Sequence, residues 1–266
     1  MPPSKQHSMT ASPADRVHTT QDWVQCAHDD LKQVNVHTSA LRMAYRDSDP
    51  FTVYTLIVSC ASTKAWWVIR KRYSHFYALR QTLVEKMRTM SKTKSIYYSD
   101  LQLLLQPIVK FPFPKKCLRL DTVAIMTHRK NAFTTITTML MQLRSAMLVL
   151  AVRQANNKAL VDELNDLRSK LDTFLGVPDR QVVEEAHRMS LRSSSSSEPE
   201  HTHEPNDDEC PICLFALKEP SENGIEERVV RMGCSHAFHE SCVVQWLERK
   251  PSCPMCRQYA VDGVIF

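Results

Sequence analysis

Apolar and polar residues alternate in VNVHTS at 34–39, the period of two that a strand with one buried face shows. Two further runs, TVYTLIVSC (52–60) and KAWWVIRKR (64–72), are dense in β-branched and aromatic residues, and turn-prone residues at 46–50 and near Ser62 separate the three. They predict an antiparallel three-stranded sheet. The period then becomes helical: Phe76, Leu79, Leu83 and Met87 recur at three- and four-residue steps, as do Phe133, Ile136, Leu140 and Leu143, and Leu160, Leu164, Leu167 and Leu171. The last stripe suits a helix packed on its own domain better than a coiled coil. Residues 91–118, which include FPFPKK, are expected to be irregular. Strands followed by helices give an α+β class.

The pattern stops after residue 176. QVVEEAHRMSLR leads into five serines, Ser193–Ser197, and then EPEHTHEPNDDE, which has prolines and acids but no large apolar residue. This reads as a flexible, acidic, serine-rich linker over 177–209. Residues 1–29 read as a disordered tail without the apolar core of a signal peptide. The longest apolar runs, such as Ala146–Val152, fall far short of the roughly 20 residues of a spanning helix, so a cytoplasmic chain with only peripheral membrane contact is expected.

Charge divides the chain at the same place. The whole carries a formal +5, but residues 32–176 hold 23 lysines and arginines against nine acids, net +14, and the remainder is acidic. Six of the nine cysteines fall in the last fifth, in the order Cys210-x2-Cys213-x20-Cys234-x-His236-x2-His239-x2-Cys242-x10-Cys253-x2-Cys256. Without a secretion signal, metal binding is a better account of that crowding than a disulfide framework. Eight such ligands suit two tetrahedral zinc ions, because a two-residue gap lets both cysteines of a pair face one ion. Cys26, Cys60 and Cys117 are scattered singly and read as buried or incidental thiols.

This spacing closely resembles the RING-H2 zinc finger, over residues 210–257. The resemblance implies a cross-brace, with Cys210, Cys213, His239 and Cys242 on one zinc and Cys234, His236, Cys253 and Cys256 on the other. All coordination positions are then filled, so both Zn2+ ions are structural. It further implies that Ile212, Trp246 and Pro254 contact an E2 ubiquitin-conjugating enzyme. Arg257, directly after the last ligand, matches the linchpin arginine that holds E2 and ubiquitin together. Residues 258–266 would be a C-terminal tail.

Within the basic region, RKRYSHF (70–76) sits where the third strand hands over to a helix, and FPFPKK and HRKNAF follow. Together these resemble the PX (phox-homology) family, over residues 30–176. By that resemblance Arg72 would hold the 3-phosphate of a phosphoinositide, Tyr73 would lie under the inositol ring, Lys116 would meet the 1-phosphate and Arg129 the ring hydroxyls. Phe111 and His75 depart from the commoner residues at their positions, which weakens headgroup preference more than fold. Apolar residues of the loop, from Tyr97 to Phe111, either dip into a bilayer or belong to the core.

The resulting expectation is a RING-type E3 ubiquitin ligase that forms no covalent ubiquitin intermediate and is brought to endosomal membranes by phosphatidylinositol 3-phosphate. Its partners would be an E2, ubiquitin and a protein substrate. A non-enzymatic adaptor that uses both modules only for binding is the alternative. Nucleic acid is not expected as a partner, because neither a DNA-binding zinc pattern nor a basic helix is present.

Overall fold

The computed structural model describes residues 34–44, 49–93, 98–117, 120–191, 209–217 and 227–266. The expected disordered tail, Cys26, Tyr97 and the serine run lie outside them. β1 (Val34–Met43), β2 (Phe51–Cys60) and β3 (Ala65–Arg72) form the expected antiparallel meander. The register pairs Val36 with Val58 and Leu56 with Ile69.

α1 (Tyr73–Thr93) leaves β3 without a break and buries Phe76, Leu83 and Met90. α2 (Ser99–Lys110) lies where an irregular segment was expected. Leu101, Leu105 and Ile108 make a buried stripe strong enough to carry the helix through Pro107, one turn before it ends. The side chains of Leu101, Leu105 and Ile108 belong to the core, whereas Leu103 is 65% exposed.

α3 (Val123–Arg153) starts at Thr122, whose hydroxyl accepts the Ile125 N–H (3.3 Å). Its most apolar stretch has a mean hydropathy of 1.5, and it is the one described helix that by length and composition could cross a membrane. In this fold it is a core helix, with Phe133, Ile136, Leu140 and Leu143 buried. α4 (Lys158–Leu175) is capped by the Asn157 side chain and ends at Gly176, whose left-handed φ of 59° the turn requires. Leu160, Leu164, Leu167, Leu171 and Leu175 are all buried in the main core, so this stripe packs on its own domain.

Two parts of the chain differ from expectation. Residues 179–191, inside the expected linker, form α5 (Asp179–Leu191). Gln181 is 2% exposed and takes the Thr63 hydroxyl hydrogen bond, while Glu185 accepts from Arg144 at 2.6 and 2.7 Å. Arg144, 1% exposed, also pairs with Asp172. A buried guanidinium needs such carboxylates, and that requirement holds α5 against α3 and α4.

The second difference is at the C-terminus. The zinc-ligand region contributes β4 (Val229–Met232), β5 (Ala237–His239) and α6 (Glu240–Arg249), and the expected tail contains β6 (Asp262–Ile265). β6 pairs antiparallel with β3 on one side (Trp66 opposite Gly263) and with β4 on the other (Met232 opposite Gly263). One six-stranded sheet results, in the order β1-β2-β3-β6-β4-β5. A C-terminal module joined to the rest only by a tether is therefore not what the chain builds.

The meander is covered on both faces. Tyr54, Leu56, Val58, Trp67 and Ile69 face the helices, and Trp67 Nε1–H donates to the Leu175 carbonyl (3.0 Å). Ile57 and Trp66 face the other way and share a second core with Phe238, Val243, Leu247, Ala260 and Ile265. At the edge of this second contact His37 Nε2 meets Glu248 Oε1 at 2.7 Å, a pair too exposed to contribute much.

Candidate functional site: two Cys/His clusters and a cationic pocket

The sequence CSHAFHESC folds so that β5 separates two ligand pairs. Cys234 and His236 precede the strand, His239 closes it, and Cys242 lies on the first turn of α6. The structure groups Cys210, Cys213, His239 and Cys242 in one cluster and Cys234, His236, Cys253 and Cys256 in another, with the ligand atoms of each within 4.8 Å of one another. These are the two sets implied by the cross-brace.

Within the clusters, Cys213 Sγ lies 3.3 Å from His239 Nδ1, and His236 Nδ1 lies 3.4 Å from Cys234 Sγ and 3.7 Å from Cys253 Sγ. Zn–S and Zn–N bonds of about 2.3 and 2.0 Å give tetrahedron edges of roughly 3.5 Å, so the donors fit a zinc ion. His239 Nε2–H donates to the Ala216 carbonyl (3.2 Å), which leaves Nδ1 as the ligand atom.

Local backbone shapes each pair of cysteines. Leu214 and Arg257, each one residue past a Cys-x2-Cys pair, take left-handed φ values of 64° and 63°. Their N–H groups return to the Cys210 carbonyl (2.8 Å) and the Cys253 carbonyl (3.1 Å), so the two loops repeat one geometry. Ser235, between Cys234 and His236, has φ 69°. L residues disfavour this conformation by about 1–2 kcal/mol each, and the surrounding hydrogen bonds hold it.

One thiol of each cluster resists ionisation beside its neighbours. Burial and the sulfurs of Cys253 and Cys256 push Cys234 up to about 11, and burial with Cys213 and Cys210 pushes Cys242 up to about 12. Burial also opposes ionisation of Cys210, but hydrogen bonds from the Cys213, His239 and Ile212 backbone outweigh it and bring that thiol down. A divalent cation at the centre makes several thiolates compatible.

Around the clusters, Ile212, Trp246 and Pro254 are half-buried. Trp246 Nε1–H donates to the Ser252 carbonyl (2.7 Å), which fixes the indole beside the second cysteine pair. Leu214 and Phe215, not singled out in the sequence, are 73% and 72% exposed beside the first pair. Arg257 is exposed, and no described residue pairs with its guanidinium.

At the far end of the meander, Arg72, Tyr73, Lys116 and Arg129 converge on one pocket of about 560 Å³. Tyr73 Oη–H donates to the Pro114 carbonyl (2.8 Å) and so ties the proline-rich loop to the start of α1. The Arg72 guanidinium stacks 3.3 Å from the centre of the Phe51 ring. His75 Nδ1 accepts the Arg72 N–H (3.2 Å), and burial together with the Lys71 and Arg72 cations pushes the imidazole down, which favours that neutral acceptor.

Arg129 differs from its neighbours. It is 3% exposed, lies over the Tyr73 ring at 4.1 Å and bonds Asp121 through Nη1 at 2.7 and 2.8 Å. Asp121 also accepts from Thr52 (2.8 Å), and its carbonyl accepts from Arg42. The pocket therefore offers Arg42, Arg72 and Lys116 as cations not paired with a described carboxylate, while Asp121 neutralises Arg129.

Fold and donor sets define a mixed α+β protein with a zinc-binding RING region. The Ring finger domain family matches residues 208–257. The chain is 36% identical over 78 residues to the E3 ubiquitin-protein ligase RNF181 of Rattus norvegicus, covering 29% of this chain and 38% of that protein. It is 37% identical over 82 residues to the RNF181 homolog of Drosophila melanogaster, covering 31% and 52%. With the E3 ubiquitin-protein ligase RNF126 of Homo sapiens it shares 42% identity over 50 residues, covering 19% and 14%. The chain thus spans about half or less of the length of these relatives.

Proposed function

We propose that this chain is a RING-type E3 ubiquitin ligase. The observation that carries the reading is the complete pair of four-donor clusters, lying within the segment that matches the Ring finger domain. Bound zinc supplies structure and leaves no open coordination position for water. The chain forms no covalent ubiquitin intermediate; it accelerates transfer by holding the E2~ubiquitin thioester in reactive geometry. Ile212, Trp246 and Pro254 provide apolar contact to the E2, and the Arg257 fork bonds E2 and ubiquitin together.

The cationic pocket takes a phosphoinositide headgroup, as the resemblance to PX domains implies. Support comes from the convergence of Arg72, Tyr73 and Lys116 on one cavity. Arg72 is the bidentate phosphate ligand and Lys116 a point charge. Arg129, occupied by Asp121, shapes the floor more than it binds. On this reading the protein works in the cytoplasm at endosomal membranes carrying phosphatidylinositol 3-phosphate.

Two assays test the parts separately. Wild type should discharge ubiquitin from a charged E2 onto free lysine with at least one member of a broad E2 panel, and Arg257→Ala should be slower; no discharge with any E2 leaves the adaptor reading. Liposomes containing phosphatidylinositol 3-phosphate should sediment wild type but not Arg72→Ala. Equal sedimentation of the two would mean that the headgroup site is misassigned.

A further inference from the structure

The chain leaves the second cysteine pair through Arg257 and runs straight onto the N-terminal sheet. Its path is fixed from both sides. On the RING side the Cys253 N–H bonds the Gln258 carbonyl (2.8 Å), the Ala260 N–H bonds the Pro251 carbonyl (3.1 Å) and Tyr259 bridges to Ser252. On the sheet side the Val68 N–H bonds the Val261 carbonyl (2.8 Å), and β6 then pairs with β3.

Between these anchors one side-chain contact crosses from the N-terminal domain. The Arg70 guanidinium lies over the Tyr259 ring, 4.6 Å from its centre. Arg70 is on the face of β3 that carries Trp66 and Val68, the face turned toward the RING. Its Nη2 is buried and has no hydrogen-bond partner among the described residues. A cation so placed, with no described carboxylate opposite it, is attracted chiefly to the ring face.

Arg257 stands two residues before Tyr259, in a backbone conformation that an L residue does not hold unaided. We propose that Arg70 and Tyr259 form a positioning pair that aims Arg257, so that the N-terminal domain takes part in ubiquitin transfer through the sheet it shares with the RING. This rests on the ligase reading above and on Arg257 as its linchpin. Neither residue touches the reacting atoms; each acts by restricting how the segment from Arg257 to Val261 moves.

The test uses the full-length zinc-loaded chain, with an E2 that wild type discharges. Arg70→Ala and Tyr259→Ala should each slow lysine discharge by about two- to fivefold, the range of an exposed cation–ring contact, while E2 affinity and two bound zincs per chain are kept. Arg70→Lys and Tyr259→Phe retain cation and ring and should restore most of the rate. In an Arg257→Ala background, Arg70→Ala should add nothing.

Full speed in Arg70→Ala, with Arg257→Ala slow, overturns the positioning pair and leaves the ligase reading intact. Additive slowing with Arg257→Ala also overturns it, because Arg70 would then act by another route. Loss of E2 binding or of zinc in Arg70→Ala does the same by showing a structural role. A wild type that discharges no E2 overturns the ligase reading and this inference together.

Discussion

Trp66→Ala separates the two cores of this protein. The side chain is fully buried between the meander and the RING, away from the helix core that holds its neighbour Trp67. A buried tryptophan removes roughly 200 Å² from water, which at about 25 cal/mol/Å² is an upper bound near 5 kcal/mol. Its Nε1–H has no hydrogen-bond partner among the described residues, and an unmet buried donor takes back about 1–3 kcal/mol. The net contribution to docking is then about 3 kcal/mol, or roughly a hundredfold in the docking equilibrium. Amide hydrogen exchange reads this directly, because the Val68 and Ile265 N–H groups bond across the junction to Val261 and Lys64. Their exchange should accelerate about a hundredfold in Trp66→Ala, while amides of α3 and the zinc content stay as in wild type. Equal acceleration throughout the chain would refute the idea of a separable junction; no acceleration at Val68 would refute the energy assigned to Trp66.

Gly263→Ala should have a similar local effect for a different reason: a Cβ there would run into the Arg231 carbonyl oxygen, so β6 must move from β4, at about 1–3 kcal/mol, visible as lost protection at Phe266, whose N–H bonds the Val229 carbonyl (2.9 Å), with zinc retained. Metal analysis should give two zincs per chain, and zinc uptake at pH 7 should release at least the protons of Cys234 and Cys242, whose thiols lie at about 11 and about 12; zinc affinity therefore falls as pH falls, and pH-independent binding would contradict these ligands. Arg129→Met should destabilise the N-terminal domain in urea melts by about 3 kcal/mol or more, because Asp121 loses its buried partner, and an unchanged midpoint would show that the pair is dispensable.

Much of this arrangement is visible in the residues. The eight ligands were legible because zinc geometry imposes spacing on the chain itself, and the three strands because β-branched runs end in turns. The convergence of Arg72, Tyr73 and Lys116 followed from a family resemblance; nothing in their separate charge runs required it. Helix α2 was hidden by Pro107 and FPFP, although Leu101, Leu105 and Ile108 already stand at helical spacing. Helix α5 was hidden by its polarity, since its buried contacts are Gln181 and Glu185, whose partners Thr63 and Arg144 are far away in the sequence. The docking of the RING did leave a trace. Adjacent residues of a strand point to opposite faces, so Trp66 and Trp67 cannot share one core, and the unbroken LIV of β2 is what a strand covered on both faces shows.

The order of the strands also bears on how the chain assembles. β3 is the edge of the meander until β6 arrives, and an exposed edge with Ile57, Trp66 and Val68 beside it invites pairing with another chain. β6 follows the last zinc ligand, Cys256, in the sequence, so that edge is covered only after the whole ligand segment has been made. The RING can form earlier and locally, since its ligands lie between Cys210 and Cys256 and zinc supplies the folding energy that so small a core lacks. Docking then closes a contact between Trp66 and Gly263, which are distant in sequence, and such non-local closure is intrinsically slow. Zinc supply and docking are therefore linked in one direction. A chain without metal cannot present β4 to β6 in fixed register, and it leaves β3 open.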